Sequence, residues 1–374
     1  MARKLKKIKV LFTIPDFDTA GSGKALLKIA TRLNKAVFEP HIACMHNRGA
    51  FFKVVADSGI PVHVFQYTTP MKPYHKGIWN SLKIAKKIRE IAPDIIHSFH
   101  FSADYSEALA ARLAGVKWIY SKKNMSWGGS SKNSWHMRTF LAHHVIYQNT
   151  DMKKQFFPKL NNTSFIPRGV DVGEFSYGAP NKELLKKYTL SAQDRIVIAV
   201  ANLVPLKGID VLIKAFNQQE IEANKWKLLI VGDDKNAYGK ELKQLVETLK
   251  IEEKVIFTGK VLNVNEHLNL AQIFVLPTIF KGEGSPVAML EAMATGVCVL
   301  GSNLPGIKDQ LQQYPNHMVE AGNIELWKSK LLEFTSKTPE ELKALGQLFY
   351  NQVHEKYQIA NEIAKTEQVY KKIV

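Results

Sequence analysis

Short apolar runs alternate with helical patterns along nearly the whole chain, and this alternation restricts the possible fold more than any other feature. Strands separated by helices favour parallel sheets whose faces are covered by those helices. A chain of 374 residues is also too long for one core. We therefore expect an α/β protein with two domains. The predicted strands are Ile8–Phe12, His41–Cys44, Val62–Phe65, Ile95–Ser98, Trp118–Tyr120, Val145–Gln148, Ser164–Ile166, Ile196–Ala201, Lys227–Val231, Val255–Phe257, Ile273–Leu276 and Val297–Leu300.

The pattern is interrupted once, at a polar stretch of residues 173–182 that contains glycine and proline, and then restarts. Two similar halves joined by one short connection predict two facing Rossmann-like domains with the ligand in a deep cleft between them. We place the first domain at residues 1–175 and the second at residues 176–356. Helices of the first half are predicted near Lys24–Leu33, Ile78–Ile91, Ala103–Ala114 and Trp135–His143, and Glu340–Val374 also has a helical pattern.

The net charge of +17 is concentrated in the first half of the chain. Residues 1–175 contain 27 Lys and Arg against 11 Asp and Glu, whereas the remainder is nearly balanced, with 24 against 23. Such a half favours an anionic partner, which could be a membrane surface, a phosphorylated or acidic acceptor, or nucleic acid. A basic surface that only keeps the protein soluble is the alternative.

Several features favour a cytoplasmic location. No apolar run approaches the ~18 residues that a membrane span requires, and the basic start of the chain lacks the cleavage site of a secretory signal. The two cysteines, Cys44 and Cys298, lie in separate apolar runs, which favours two reduced core thiols over a disulfide.

The stretch KGEGSPVAMLEAMATGVCVLGSNLPG, residues 281–306, places two carboxylates eight positions apart, Glu283 and Glu291. Glu283 lies in a loop after an apolar strand, and Glu291 lies about two turns along an apolar helix. We expect Ser285 to cap this helix, Pro286 to be its first residue, and Gly296 to end it. The backbone N–H groups near Gly284, Ser285, Pro286 and Val287 would then face a ligand, where a helix N-terminus favours phosphate.

This stretch resembles the Glu-x7-Glu signature of retaining GT-B glycosyltransferases, in particular glycosyltransferase family 4. The resemblance implies that Glu283 contacts the sugar of a nucleotide-sugar donor and that Glu291 binds its ribose. It also implies a GT-B fold in which the final helix, residues 357–374, crosses back to the first domain. The alternative is an ordinary buried helix with two incidental acids.

Three further segments of the second half resemble the same family. VANLVPLKG, residues 200–208, places Lys207 where the family has the cation that neutralises the donor diphosphate, whereas Asn202 replaces a frequent Arg. The segment around Val255–Gly259 implies that Gly259 lies beside the nucleotide base. FIPRGVDVGEF, residues 165–175, resembles the segment that enters the second domain, with Arg168 in place of the common Asn.

A glycine turn, TAGSGK at residues 19–24, follows the first strand. It is neither a Walker A loop, because Asp18 and Ala25 occupy positions that need Gly and Ser or Thr, nor a dinucleotide fingerprint, because Leu26 replaces the third glycine. Gly21 and Gly23 still permit a ligand to approach backbone N–H groups. The turn resembles the glycine-rich donor-binding turn of the family, with Lys24 in place of an acid.

The acceptor side is predicted from the first half. His100 follows a strand and could face the cleft, whereas His97 is expected to pack at the strand end. Lys123 and Asn124 stand where family members often carry a histidine, and Arg168 is a further candidate. The aromatic and basic segment Trp118–Arg138 fits an acceptor with phosphate or carboxylate, or a loop resting on anionic lipid, where Trp favours the interface. No RNA-binding module accompanies it.

No metal or other cofactor is predicted. Asp16 and Asp18 follow the first strand rather than a strand in the middle of a domain, and the pairs His97/His100 and His143/His144 lack acidic companions at metal-ligand spacing. The nucleotide sugar that the resemblance implies would be the donor substrate and not a cofactor.

Together these features predict a metal-independent glycosyltransferase of the hexosyltransferase type. It would transfer a sugar from a nucleoside-diphosphate sugar to a saccharide or lipid-linked saccharide, with retention, in the synthesis of cell-surface polysaccharide or glycolipid. We expect it in the cytoplasm, either free or peripheral at the inner face of the membrane, and we expect no nucleic-acid partner. The alternatives are a nucleotide-sugar epimerase or hydrolase on the same fold, or a catalytically weakened module that binds nucleotide sugar or glycan.

Overall fold

The chain folds into two compact units in a computed structural model that describes residues 6–18, 20–49, 51–127, 132–191 and 193–374. The first unit also includes the end of the chain. The first unit consists of Met1–Gln148, Met152–Ile166 and Ile363–Val374. The second unit consists of Asn149–Asp151 and Pro167–Glu362.

The first half of the chain alternates strands and helices as its sequence pattern predicts. The elements, in order, are β1 Ile8–Ile14, α1 Ala20–Arg32, β2 Phe38–Cys44, α2 Phe52–Ala56, β3 Val62–Val64, α3 Tyr74–Ile91, β4 Ile95–Ser98, α4 Ser106–Ala114, β5 Lys117–Lys122, α5 Lys132–Leu141, β6 His144–Tyr147, α6 Thr150–Phe156 and β7 Thr163–Phe165.

Within the described ranges, the seven strands of the first unit form one sheet in the order β3-β2-β1-β4-β5-β6-β7, and every pairing is parallel. The chain first builds outward on one side of β1 and then on the other. The strand order therefore reverses between β1 and β4. In sheets of this kind, ligands bind outside the carboxyl ends of the strands at such a reversal.

The second half of the chain repeats this architecture. Its elements are α7 Lys182–Lys187, β8 Arg195–Val200, α8 Ile209–Phe216, α9 Gln219–Ala223, β9 Trp226–Val231, α10 Ala237–Leu249, β10 Val255–Gly259, α11 Val264–Leu268, β11 Ile273–Leu276, α12 Val287–Ala294, β12 Cys298–Ser302, α13 Ile307–Leu311, β13 Met318–Val319, α14 Ile324–Thr335, α15 Pro339–Lys356 and α16 Ile359–Ile373, with 3₁₀ turns at Pro205–Lys207 and Pro315–His317.

The sheet of the second unit has six parallel strands among the described residues, in the order β10-β9-β8-β11-β12-β13. Its order reverses between β8 and β11. Both strands are almost entirely buried, which explains why their sequences, RIVIAV and IFVL, are nearly continuous apolar runs. Two doubly wound parallel sheets confirm the predicted fold class.

The boundaries between the units differ from the sequence prediction. The sequence placed the boundaries at Phe175 and Tyr357, but both residues pack in the core of the second unit. The cause is backbone pairing between distant segments: Val170 N–H donates to Tyr357 O, and Ile359 N–H donates to Val170 O. This pairing holds the residues around both predicted boundaries in the second unit.

Helix α16 contributes residues to both units. Within the first unit, the Tyr370 hydroxyl lies 2.6 Å from His97 Nδ1, and the Tyr370 ring packs edge-on against Phe12 and Phe38. His97 is thus buried at the end of β4, as predicted. Glu362, near the start of the helix, belongs to the second unit. None of the described helices is both long and apolar enough to cross a bilayer.

Helix α1 begins earlier than predicted. It starts at Ala20, so that Gly21, Ser22 and Gly23 form its first turn instead of a preceding loop. A Cβ at Gly23 would lie 2.8 Å from the Phe17 ring, which shows that this turn packs directly on the residues after β1. Thr19 lies outside the described residues.

Packing of α15 on the end of α12 gives a test of the fold. A Cβ at Gly346 would lie 1.9 Å from Gly296 O. We expect Gly346→Ala to lower the free energy of unfolding by about 1–3 kcal/mol, because overpacking outweighs the helix propensity that alanine adds. Chemical unfolding monitored by circular dichroism measures this change.

Gly21→Ala is the control, because a Cβ at Gly21 meets no atom within 4 Å. This variant should be as stable as the wild type or more stable. A Gly346→Ala protein that matches or exceeds the stability of the wild type would contradict the packing described.

Candidate functional site

Two opposite charges meet where the strand order of the second unit reverses. Lys207 follows β8 and Glu283 follows β11, and Lys207 Nζ forms an ion pair with Glu283 Oε1. Thr278 Oγ1 donates to the same carboxylate oxygen at 3.3 Å. The two charged side chains remain 19% and 13% accessible, so they can be reached by a ligand.

Close backbone packing holds these two loops together. Gly208, which follows Lys207, has φ +64° and lies so near β11 that a Cβ there would stand 2.2 Å from Pro277 O. The N–H of Ile279 donates to Leu206 O at 3.0 Å. Only glycine permits both the left-handed backbone conformation and this close approach to Pro277 O. The Lys-Gly sequence therefore fixes the position of Lys207 relative to Glu283.

Asn149 also positions the glutamate loop. This fully buried side chain donates through Nδ2 to Gly284 O at 2.8 Å and to Glu283 O at 3.2 Å. Its role was not predicted from the sequence. The available signal was an amide residue directly after the apolar run Val145–Gln148, at the carboxyl end of a predicted strand.

The start of α12 differs from the prediction by one residue. Pro286 occupies the N-cap position, the helix begins at Val287, and no side chain caps it. Ser285 instead accepts hydrogen bonds from Arg168 N at 3.2 Å and from Gln310 Nε2 at 3.3 Å. The predicted serine cap is therefore wrong, because tertiary partners take the hydroxyl. Gly296 ends the helix as predicted, with φ +72°.

Glu291 lies on the accessible face of α12. It is partly exposed together with Val287 and Ala288, whereas Met289, Leu290 and the last three residues of the helix are buried. Positions 287 and 291 are one turn apart, so Glu291 and the N-terminal turn share one face. The first N–H groups of a helix have no acceptors within the helix and can bind an anion.

Four further residues of this unit lie at or after the ends of strands β8, β10, β11 and β12. Asn202 is exposed in the loop after β8, and Lys281 is exposed in the loop after β11. Gly259 ends β10, with β9 between it and β8. Gly306, before α13, packs on the glutamate loop, because a Cβ there would lie 2.6 Å from Gly284 O.

Arg168 has a partner that the sequence did not indicate. Its Nη1 lies 2.5 Å from Glu362 Oε1, and the other oxygen of Glu362 accepts from Gly169 N at 2.8 Å. Both charged side chains are less than a tenth exposed. Within the second unit, this ion pair joins the segment after β7 to the start of α16.

In the first unit, the predicted acceptor-side residues gather where its strand order reverses. Lys123, after β5, donates to Phe99 O at 2.6 Å and to Ser22 Oγ at 3.1 Å, which brings it to the turn containing Gly21 and Gly23. His100, after β4, is mostly buried. Burial, with smaller contributions from Arg138 and Lys123, lowers its pKa to about 3. Its imidazole is therefore neutral at physiological pH, and its Nδ1 has no hydrogen-bond partner among the described residues.

Asn124 has a structural role beside these residues. Its backbone oxygen accepts from Lys122 Nζ at 2.6 Å, and its side-chain oxygen accepts from the same atom at 3.2 Å. The Lys122 ammonium lies 4.4 Å from the ring centroid of Phe156 and 5.6 Å from those of Trp127 and Trp135. Burial lowers the pKa of Lys122 to about 7.

Two of the three tryptophans of segment 118–138 are not available to lipid, contrary to the lipid contact that was one of the two roles predicted for this segment. Trp118 and Trp135 are fully buried, and Trp127 packs at 5.1 Å from Trp135. They surround cationic side chains of the core, including Arg138, whose guanidinium lies 4.8 Å from the Trp118 ring. The alternation of aromatic and basic residues thus reflects cation–π packing inside the unit. Residues 128–131 lie outside the described part.

The first unit also contains a buried polar network that the sequence did not indicate. Glu107 accepts from Thr13 Oγ1 at 2.5 Å and from Ser98 Oγ at 2.8 Å, and Arg138 Nη2 lies 3.8 Å from it. Burial raises the pKa of Glu107, although Arg138 opposes this. The residues are far apart in sequence, so only the fold brings them together.

No group of three or more His, Cys, Asp or Glu side chains that could hold a metal occurs among the described residues. Asp18, half of the Asp-x-Asp pair, lies 3.6 Å from Arg48. Independence from metal remains a prediction.

The second unit thus combines a doubly wound parallel sheet with a lysine, a helix start and two glutamates near the reversal of strand order, the place where such sheets bind ligands. The residues before this helix, Gly284, Ser285 and Pro286, are buried, and Val287 is partly exposed. Two family descriptions match the chain: glycosyl transferases group 1 over residues 180–351, and glycosyltransferase family 4 over residues 19–174. Together they span most of the sequence. The chain belongs to glycosyltransferase family 4 and has the GT-B fold, which confirms the resemblance and the predicted glycosyltransferase class.

The chain is also similar to curated glycosyltransferases in sequence and to a solved structure in fold. The chain is 29% identical to N-acetyl-alpha-D-glucosaminyl L-malate synthase of Bacillus anthracis over 50% of the chain and 48% of that protein. It is 31% identical to a GDP-mannose-dependent alpha-(1-6)-phosphatidylinositol monomannoside mannosyltransferase of Mycobacterium tuberculosis over 42% of each. These matches thus span about half the length of either relative. Anabaena HepE, solved with UDP and glucose, has a TM-score of 0.81 at 18% identity and covers 98% of this chain and 100% of its own.

The buried contacts of Asn149 lead to a prediction about stability. We expect Asn149→Ala to lower the free energy of unfolding by about 1–3 kcal/mol, because the buried Gly284 O and the partly buried Glu283 O lose their donor. Asn224→Ala is the matched control, since that amide donates only to the exposed Glu220 O. It should change stability by no more than about 0.5 kcal/mol. Equal stabilities of both variants in chemical unfolding would show that Asn149 does not support the loop.

Proposed function

We propose that the protein transfers a sugar from a nucleoside-diphosphate sugar to a saccharide or lipid-linked saccharide, with retention of anomeric configuration. The observation that supports this most is the Lys207–Glu283 pair at the reversal of strand order, with Glu291 on the accessible face of the adjacent helix. The proposed biological setting is the synthesis of cell-surface polysaccharide or glycolipid.

The proposed task of Lys207 is to stabilise the leaving group. As the bond between the anomeric carbon and the phosphate oxygen breaks, negative charge develops on the diphosphate. An ammonium has three N–H donors, and Glu283 accepts one of them, which leaves others for phosphate oxygens. The N-terminus of α12 adds its partial positive charge. Charge stabilisation of about 1.4 kcal/mol in the transition state accelerates the reaction tenfold. This arrangement would need no metal.

The two glutamates would bind the two sugars of the donor. Glu283, held by Lys207 and Thr278, would accept hydrogen bonds from hydroxyls of the transferred sugar and orient its anomeric carbon. Glu291, further along the helix, would accept from the ribose hydroxyls. The acceptor oxygen forms the new bond to the anomeric carbon, and its proton passes to the departing diphosphate oxygen. This step requires no base from the protein.

The acceptor would bind to residues of the first unit. Lys123 supplies a positive charge and His100 a neutral imidazole beside the first turn of α1. This chemistry favours an acceptor that carries phosphate or carboxylate. The mycobacterial relative is named for a phosphatidylinositol mannoside acceptor, which supports a lipid-linked acceptor here.

Three substitutions test the donor site. Lys207→Ala and Glu291→Ala should weaken donor binding at least about tenfold, since each removes a charged hydrogen-bond partner. Glu283→Ala should lower kcat about 100-fold or more through lost orientation of the sugar. Initial rates of transfer and calorimetric donor affinities measure these effects. Lys328→Ala and Glu325→Ala, which form an exposed pair on α14, are the controls.

If all three site variants transfer sugar at the wild-type rate, the assignment of Lys207, Glu283 and Glu291 to the donor site is wrong. Donor turnover without any acceptor would instead indicate an epimerase or hydrolase. Donor binding without turnover under any acceptor would indicate a binding module.

We also propose peripheral contact of the basic first half with an anionic membrane. The prediction is that the protein co-sediments with phosphatidylglycerol-containing vesicles at low ionic strength and is released at about 1 M salt, where the Debye length falls to about 3 Å. Vesicles of phosphatidylcholine alone are the control. Binding that is absent, or that does not respond to salt, would rule out this electrostatic contact.

A further inference from the structure

We propose that the N-terminal half of α3 is the surface that docks on an anionic lipid bilayer, an inference that rests on the proposed membrane contact. Four large apolar side chains on this half are exposed to solvent: Tyr74, Ile78, Trp79 and Leu82, with 59%, 48%, 63% and 41% of their surfaces accessible. Ile78 lies one turn before Leu82, and Trp79 stands between them at helical spacing, so their side chains form one surface. We call these four residues the α3 patch.

Basic side chains surround the α3 patch. Lys72 and Lys76 lie at its N-terminal end, and Lys83 and Lys86 lie at its C-terminal end, all exposed. Lys83 Nζ is 5.9 Å from the centroid of the Trp79 ring. The whole of α3 contains five basic residues and one acidic residue, Glu90, which forms an ion pair with Lys87. This charge is complementary to anionic headgroups.

The composition of the surface favours a bilayer over a protein partner. Trp and Tyr prefer the boundary between headgroups and acyl chains, and Lys side chains extend from there to the phosphates. Protein interfaces, in contrast, are depleted in Lys. A patch of exposed aromatic and aliphatic side chains within a ring of lysines therefore matches the lipid boundary.

The helix is held by its own domain before any lipid arrives. Its opposite face, with Ile84, Ala85, Ile88 and Ile91, packs in the core of the first unit. The loop before it is tied down as well, because Thr69 N–H donates to Ser106 Oγ at 2.8 Å and Asn80 donates to Thr69 Oγ1 at 3.2 Å. Docking thus needs no folding of the helix.

The α3 patch lies at the same edge of the sheet as the acceptor-side residues. Helix α3 follows β3, and His100 and Lys123 follow β4 and β5. The strands are parallel, so their carboxyl ends meet at one edge. A lipid-linked acceptor could therefore keep its lipid in a bilayer that contacts the patch, with its sugar toward His100 and Lys123.

The α3 patch, rather than the tryptophans of segment 118–138, would contact lipid, because two of those three tryptophans are buried. All six tryptophans lie within the described residues, and Trp79 is the exposed one: Trp118, Trp135, Trp226 and Trp327 are fully buried and Trp127 is half-buried. Trp79 therefore provides a natural fluorescent probe of the surface.

Flotation with vesicles of about 30% phosphatidylglycerol in phosphatidylcholine tests the proposal. Ile78→Ser with Trp79→Ser, and separately Lys83→Glu with Lys86→Glu, should each weaken partitioning at least about tenfold, because the first pair removes apolar insertion and the second reverses the charge. Leu262→Ser with Leu326→Ser, and Lys240→Glu with Lys343→Glu, are matched exposed controls in the second unit and should bind as wild type.

Fluorescence gives an independent measurement. Adding these vesicles should shift tryptophan emission to shorter wavelength in the wild type, and Trp79→Phe should bind vesicles while losing the shift. Patch variants that bind as well as wild type, or a shift that survives in Trp79→Phe, would overturn the proposal. A patch variant that changes only the sedimentation coefficient would overturn it in favour of self-association.

Failure here is distinguishable from failure of the proposed transferase. Transfer to a water-soluble acceptor does not depend on the α3 patch, so both patch variants should retain wild-type rates in solution. Vesicle binding without transfer would contradict the enzymatic proposal alone. If the protein transfers sugar in solution and its patch variants bind vesicles as well as the wild type, only the assignment of the α3 patch as the docking surface is wrong.

Discussion

The ion pair between Lys207 and Glu283 is the interaction on which the candidate site depends. Its two members come from loops after neighbouring strands, and the close packing at Gly208 leaves those loops little freedom to separate. A lone lysine in such a position would hold an anion loosely, because its long side chain samples many rotamers. Pairing with Glu283 holds the ammonium in place and neutralises the carboxylate. In the proposed reaction, an incoming diphosphate would then meet a cation that is already positioned.

Much of the fold and part of the site could be predicted from the sequence because both arise from local patterns. Buried parallel strands are continuous apolar runs, and parallel strands place the loops after them at one edge. Glu283 and Glu291 were singled out because they lie just after a strand and within the following helix, and Lys207 because its segment resembles one of the family. Asn149 was missed because its role depends on contacts with residues about 135 positions away.

The errors have the same physical origin. Ser285 has the sequence context of a helix cap, but Arg168 and Gln310 use its hydroxyl instead. Trp118 and Trp135 resemble interfacial residues in sequence, yet they enclose Arg138 in the core. Conversely, Trp79 lies in the predicted helix Ile78–Ile91 and is exposed, although the sequence analysis did not single it out. Whether an aromatic side chain is buried depends on the face of the helix that meets the sheet, and the sequence leaves that face ambiguous here.

Binding of nucleotide sugars to the wild-type protein in the presence of a chelator tests the central claim most directly. A thermal-shift screen over uridine, guanosine and adenosine diphosphate sugars should reveal at least one that raises Tm without metal, since a ligand at 100 times its Kd stabilises the folded state by about 2.7 kcal/mol. The corresponding nucleoside should have a much smaller effect, because it lacks the diphosphate that Lys207 would bind. Stabilisation that requires a divalent metal, or equal effects of nucleoside and nucleotide sugar, would contradict the account.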